Sequence, residues 1–395
     1  MADTAMATDA QPSNELPPLE VEIRRRIAAA GPMPVAQYMT LCLTHPQYGY
    51  YVTRDPLGAK GDFVTAPEIS QMFGELIGLW SAAVWKAMGS PTNIRLVELG
   101  PGHGTMLLDA LRALHAVPAF RKALAVHLVE ISPALEQRQR QAVGGIDVPV
   151  NWHRSLDEVP DGPAIILANE FFDALPVHQA VMCVDGWHER VVKIGDDGSL
   201  QFSHARDPIP LFDQMLPKSV RDSEIGAIFE WRADQVALEL GHRVVRGGGA
   251  ALIIDYGHVE SATGDTFQAV RRHDFVNPLR TPGLVDLTAH VDFRALAQAA
   301  ESIGARAHGP VDQGEFLIRL GIETRAEALR KGSPLSKNAE INSALARLTS
   351  AEGVGMGKLF KVIAIADPKL GELPGFESGQ DDGAGGGRTA GELKR

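Results

Sequence analysis

The stretch Val97-Glu98-Leu99-Gly100-Pro101-Gly102-His103-Gly104-Thr105-Met106 constrains the fold more than any other part of this chain. It joins an aliphatic run, Ile94 to Leu99, to an amphipathic one from about Thr105 to Leu114, so it reads as strand, glycine turn and helix. Glycines there let the backbone turn sharply and come close to a ligand. A dinucleotide fingerprint starting at Gly100 needs its third glycine at position 105, which is Thr105; here the third glycine is Gly104. A second strand, Ala125 to Glu130, and a helix from about Pro133 to Val143 complete a βαβ unit. Ala164 to Ala168, Ala250 to Asp255 and Lys358 to Ala366 add buried strands, which predicts a mostly parallel, Rossmann-like α/β sheet.

The E-x-G-x-G-x-G form resembles motif I of class I methyltransferases, and Leu128-Val129-Glu130 ends the second strand where that family holds ribose hydroxyls with a carboxylate. The resemblance implies S-adenosyl-L-methionine as cofactor, with Glu98, Gly100, Gly102, Gly104 and Glu130 around it. The chemistry agrees, because Glu130 can accept two hydroxyl hydrogen bonds. The plainer alternative is that the glycines only make a tight turn and Glu130 caps the helix near Pro133.

The acceptor of a methyl group has to adjoin the carboxyl ends of the central strands. The fourth strand ends there in Ala168-Asn169-Glu170-Phe171-Phe172-Asp173-Ala174-Leu175-Pro176, which makes Asn169, Glu170 and Asp173 the candidate catalytic residues. The other reading is that Glu170 and Asp173 cap a short turn. A glycine- and aromatic-rich loop, His45 to Glu68, is long enough to cover a ligand, and Asp62, Phe63 and Thr65 are its candidate lid residues. Thr65 also stands where it can cap the following helix, with Pro67 in the first turn.

Along the chain these readings give a tail at 1–15, a helical N-terminal segment at 16–90 with the lid-like loop, and a methyltransferase core at 91–176 and 244–367. An antiparallel β-hairpin and helix insertion is expected at 177–243, with the helix at Glu224 to Arg243, and a disordered glycine-rich tail at 368–395. Asp292 is placed to cap a helix through Ser302, with His290 packed beside it rather than binding metal. Lys plus Arg number 38 against 49 Asp plus Glu, a net −11, which leaves no general footprint for nucleic acid. Two cysteines support neither a disulfide framework nor a cysteine-rich zinc site, and no metal is expected. No apolar run is long enough to span a bilayer. The first fifteen residues contain no Arg or Lys, unlike a secretion signal or transit peptide, so a bacterial cytoplasmic protein is expected.

From about Pro17 to Asp367 the chain resembles the MidA family of class I methyltransferases, through GPMPVAQYMTLCLTHPQYGYY, GDFVTAPEISQMFGELIGLW, VELGPGHGTM, ANEFFDALPVHQ, DLTAHVDF and QGEFLIRLGI. Mitochondrial members of that family are protein arginine methyltransferases that assist respiratory complex I assembly. The resemblance therefore implies a protein substrate, a complex I subunit or its bacterial equivalent. Two rival readings remain: an assembly chaperone that keeps the cofactor pocket without catalysis, and a nicotinamide-dependent oxidoreductase, against which the glycine spacing speaks.

Overall fold

The computed structural model describes residues 16–54, 65–271, 274–353 and 355–377. Asp62 and Phe63 lie outside these, as do both chain ends. The N-terminal segment is helical, with α1 (Pro18–Ala30), α2 (Val35–Thr44) and α3 (Gln71–Ala87). Two four-residue helices, Tyr50–Thr53 and Ala66–Ile69, break up the long loop. Thr65 occupies the N-cap of the second, but its side chain makes no capping bond.

The core then alternates β1 (Ile94–Leu99), α4 (Thr105–Ala113), β2 (Leu124–Val129), α5 (Pro133–Ala142), β3 (Val150–His153) and β4 (Ala164–Asn169). An antiparallel unit follows, made of β5 (Val177–Cys183), β6 (Gly186–Ile194), β7 (Leu200–His204) and β8 (Ile228–Arg232). The chain returns through α6 (Gln235–Gly247) and β9 (Gly249–His258). A small antiparallel sheet, β10 (Gln268–Arg271), β11 (Asp274–Val276) and β12 (Asp286–Thr288), precedes α7 (Phe293–Ser302) and β13 (Arg306–Asp312). Helices α8 (Gln313–Arg319), α9 (Ile322–Lys331) and α10 (Asn338–Thr349) lead to the last strand, β14 (Phe360–Ala366).

The central sheet has the order β13-β14-β9-β4-β1-β2-β3. All its pairings are parallel except those of β14 with β9 and β13. This is the Rossmann-like, mostly parallel α/β sheet that the sequence predicts, and β4, β9 and β14 are buried along nearly their whole lengths because helices cover both faces. Strand order reverses between β1 and β4, so a crevice opens at their carboxyl ends. On one face α3 lies hard against α4. A Cβ on Gly78 would sit 2.7 Å from Ala110 Cα, so the glycine is what permits the approach.

Three expectations change. Glu224 to Arg243 is not one helix: Ile228–Arg232 is strand β8, paired antiparallel with β5, and the helix is Gln235–Gly247. The aromatic run Phe229-Glu230-Trp231 fits a pleated surface once β5 supplies its backbone partners, a pairing invisible in local periodicity. Helix α6 also belongs to the core rather than the insertion, since it packs on β4, β9, β14 and α7. Residues 368–377 are not a loose tail. Leu370, Leu373 and Phe376 are buried in the main core, and Trp80 Nε1 donates to Pro374 O at 3.1 Å. A large indole and its N–H needed covering, and three apolar residues suffice.

Helices α1 and α2 pack on the antiparallel unit and on β10 and β12, and Met33–Pro34 pairs with Val191–Val192 of β6. Asp292 caps α7 by accepting from Ala295 N at 3.0 Å, while the His290 ring packs edge-on against Tyr256. Among the described residues, no helix is long and apolar enough to cross a membrane.

Candidate active site

At the crevice the backbone leaves β1 through Gly100, whose φ of 60° suits a residue without a side chain. A Cβ there would also press on the Phe171 ring at 3.0 Å. Gly104, with φ 80°, sits at the N-cap of α4 and lies behind the cavity wall rather than on it. Glu98, Gly100, Gly102 and Glu130 line one cavity together with Thr65, Glu68, Asn169 and Glu170, and Phe171, Leu135 and Ile131 add apolar surface. Glu98 is 3% exposed, and its Oε2 is buried without a hydrogen-bond partner among the described residues. Burial pushes this carboxyl up to about 8. Glu130 is held differently. Its Oε1 accepts from Ser132 N at 2.7 Å and its Oε2 from Gln139 Nε2 at 3.0 Å. Burial raises its pKa and these two donors oppose the rise.

The opposite wall comes from the end of β4. Glu170 takes a left-handed backbone conformation, φ 49°, uncommon for a residue with a side chain. Its Oε1 accepts from Ala66 N at 3.2 Å and from Asn169 Nδ2 at 3.3 Å. Burial, and next the charge of Asp173, push Glu170 up to about 8. Asn169 Oδ1 is buried without a partner among the described residues. The structure does not put Asp173 on the cavity. Its Oδ2 accepts from Tyr256 OH at 2.6 Å, and the backbone N–H groups of Phe172 and Asp173 both donate to Asp255 Oδ2, at 2.9 and 3.1 Å. The chain turns after Glu170, and these bonds draw Asp173 inward. Arg232 ties the turn down by donating to the carbonyls of Asp173, Leu175, Ala289 and His290.

Residues 76–311 match the family model described as "Putative S-adenosyl-L-methionine-dependent methyltransferase". The chain belongs to this methyltransferase family. It is 40% identical over 377 residues to "Protein arginine methyltransferase NDUFAF7 homolog, mitochondrial" of Drosophila melanogaster, covering 88% of this chain and 84% of the relative. The human protein, "Protein arginine methyltransferase NDUFAF7, mitochondrial", is 39% identical, covering 80% of this chain and 76% of its own length. Among solved structures, a Burkholderia thailandensis protein bound to S-adenosyl-homocysteine superposes with a TM-score of 0.80 at 30% identity, covering 90% of this chain and 93% of that one. The enzyme is therefore an S-adenosylmethionine-dependent methyltransferase, and the resemblance to the MidA family is borne out. Family membership also removes the nicotinamide reading.

The cavity of this methyltransferase fits the cofactor's chemistry. S-adenosylmethionine carries an ammonium, a sulfonium and two ribose hydroxyls, and the wall offers the Glu98 carboxyl, whose Oε2 has no partner among the described residues, the part-satisfied Glu130 carboxylate and apolar surface. Several residues that line or brace the site escaped the sequence reading. Glu68 accepts from Thr105 Oγ1 at 2.6 Å, linking the Ala66–Ile69 turn to the start of α4. Tyr51 lines the cavity while its hydroxyl donates to Asp286 at 2.9 Å. Gln139, fully buried, bridges Glu130 and Gly102. It follows Leu135 by one helical turn, so a polar residue on the buried stripe of α5 was the available signal. No metal was expected. The structure does bring ligand atoms of Cys183, His188 and His204 within 4.8 Å of one another on the outer hairpin, where the His188 ring nitrogens face Ala205 O and Asp185 Oδ1.

Proposed function

We propose that the enzyme is a protein arginine N-methyltransferase acting on a subunit of respiratory complex I, or of its bacterial equivalent, in support of assembly. In this reading Glu98, Gly100, Gly102 and Glu130 hold the cofactor, Gly104 shapes the loop, and Thr65 closes the cavity's rim beside it. Asn169 and Glu170 receive the acceptor. The observation that carries it is the Glu170 carboxyl facing the same cavity as the glycine loop, with one oxygen anchored and Oε2 making no hydrogen bond among the described residues. A guanidinium stays protonated at neutral pH and pairs with a planar carboxylate, which fixes one nitrogen as nucleophile. The names of the curated relatives support arginine as the acceptor class. Because burial raises the Glu170 pKa, arrival of a cation ionises it, and the resulting carboxylate then accepts the proton that the guanidinium gives up on methylation.

Labelled methyl transfer from S-adenosylmethionine to cell-extract protein tests this. Glu170→Gln is expected to keep S-adenosylhomocysteine affinity and to lose methyl transfer by on the order of 100-fold. Label on lysine, or full activity in Glu170→Gln, overturns the assignment. A filled cofactor site with no label transferred by the parent protein favours the chaperone instead.

A further inference from the structure

Gln139 carries no charge and belongs to no glycine pattern, yet it joins the two halves of the cofactor wall. Its Nε2 donates to Gly102 O at 2.7 Å and to Glu130 Oε2 at 3.0 Å, and its Oε1 accepts from Trp152 Nε1 at 3.0 Å. A primary amide has two N–H donors, and both are used here. Flipping the amide would set its oxygen against two acceptors and its N–H group against the indole N–H, so only one orientation satisfies all three partners. The Arg140 guanidinium covers the Trp152 ring, 4.0 Å above its centre, and is itself bonded to Glu136.

These contacts fix the Glu130 carboxylate from both sides. Ser132 N holds Oε1 and Gln139 holds Oε2, so the carboxylate plane cannot rotate without breaking a buried, charge-assisted bond. Each oxygen keeps acceptor capacity for the cavity. A carboxylate locked in this way can accept from two neighbouring hydroxyls at once, whereas a free one first has to lose rotational freedom. The second N–H of Gln139 holds the glycine loop in register with that carboxylate.

We propose that Gln139 is the positioning residue that makes Glu130 selective for a vicinal diol, with the Trp152 indole fixing its amide. Ribose recognition is then a property of Gln139 and Trp152 as much as of Glu130. The inference rests on the reading that Glu130 faces the cofactor ribose.

Calorimetry on the full chain with S-adenosylhomocysteine and with its 2′-deoxyribose analogue separates the two. The parent protein should bind the analogue more weakly by on the order of tenfold, one charged-acceptor hydrogen bond being lost. In Gln139→Leu the affinity for S-adenosylhomocysteine should fall by about tenfold or more, and its ratio to the analogue should collapse toward one. Trp152→Phe, which removes the indole N–H along with part of the ring beneath Arg140, should give an intermediate ratio. Gln139→Glu sets two carboxyls face to face, so its affinity should recover as pH falls from 8 to 6 more steeply than the parent's, a shared proton replacing the amide N–H. A parent protein that does not distinguish the two ligands overturns the ribose reading itself. A parent that does, with Gln139→Leu keeping the same ratio, overturns the positioning role alone. Should Gln139→Leu fail to fold, Gln139→Glu decides: a pH dependence parallel to the parent's overturns the proposal.

Discussion

The two walls of the cavity are built in opposite ways. On the cofactor side, Glu98, the glycine loop, Glu130, Gln139 and Trp152 come from one continuous βαβαβ stretch, and their hydrogen bonds run between neighbours in that stretch. The opposite wall, proposed above to receive the acceptor, draws on Tyr51, Ala66, the turn after β4, Arg232, Asp255 and Asp286, which lie far apart in the sequence. A cofactor common to the whole family can be served by a self-contained unit. A wall made from remote segments can be altered without disturbing that unit, which is the arrangement one fold needs to serve different substrates.

The contrast breaks most visibly at Gly100, where the walls touch. Gly100→Val forces a branched residue to φ 60° and drives Cβ against Phe171, so S-adenosylhomocysteine binding by calorimetry should fall by on the order of 100-fold or more. Near-parental affinity would mean that the two walls are uncoupled. A smaller and purely electrostatic effect is expected at Glu98. Its pKa in the folded protein, about 8, lies above the ordinary carboxylate range, so the group favours folding below about 4.5 and that contribution is lost as pH rises toward 8. The melting temperature of the cofactor-free protein should therefore drop across that window, and Glu98→Gln should flatten the drop. An unchanged slope in the variant would show that Glu98 is not buried as an acid. The smallest effect is expected at Asp173. Its carboxyl faces Tyr256 rather than the cavity, and Asn can still accept from that hydroxyl, so Asp173→Asn should keep methyl transfer within about fivefold of the parent. A loss as large as that of Glu170→Gln would return Asp173 to the reaction.

The same contrast explains what the sequence disclosed. Gly100 to Gly104 and Glu130 are legible because strand, turn and helix carry local signals that agree. Gln139 is half legible, as a polar residue on a buried helical stripe, but the partners that make it important come from the glycine loop and β3. The position of Asn169 and Glu170 on the cavity wall is legible from their place at a strand end. Asp173 is misjudged because nearness in sequence says nothing about which side of a turn a carboxyl takes, and here Asp255, Tyr256 and Arg232 decide it. Ile228–Arg232 and residues 368–377 depend on partners far away, β5 for one and Trp80 for the other.

The pairing of the N-terminal helices with late segments also matters while the protein is being made. Leu19, Ile23 and Tyr38 leave the ribosome well before Val192, Phe267, Leu279 and Leu287, with which they share one core. At ordinary elongation rates the earliest of these apolar side chains wait on the order of ten to fifty seconds for Phe267 and the residues after it. During that interval α1 and α2 can pack only on each other, and part of the apolar surface they later bury against the sheets stays open to water.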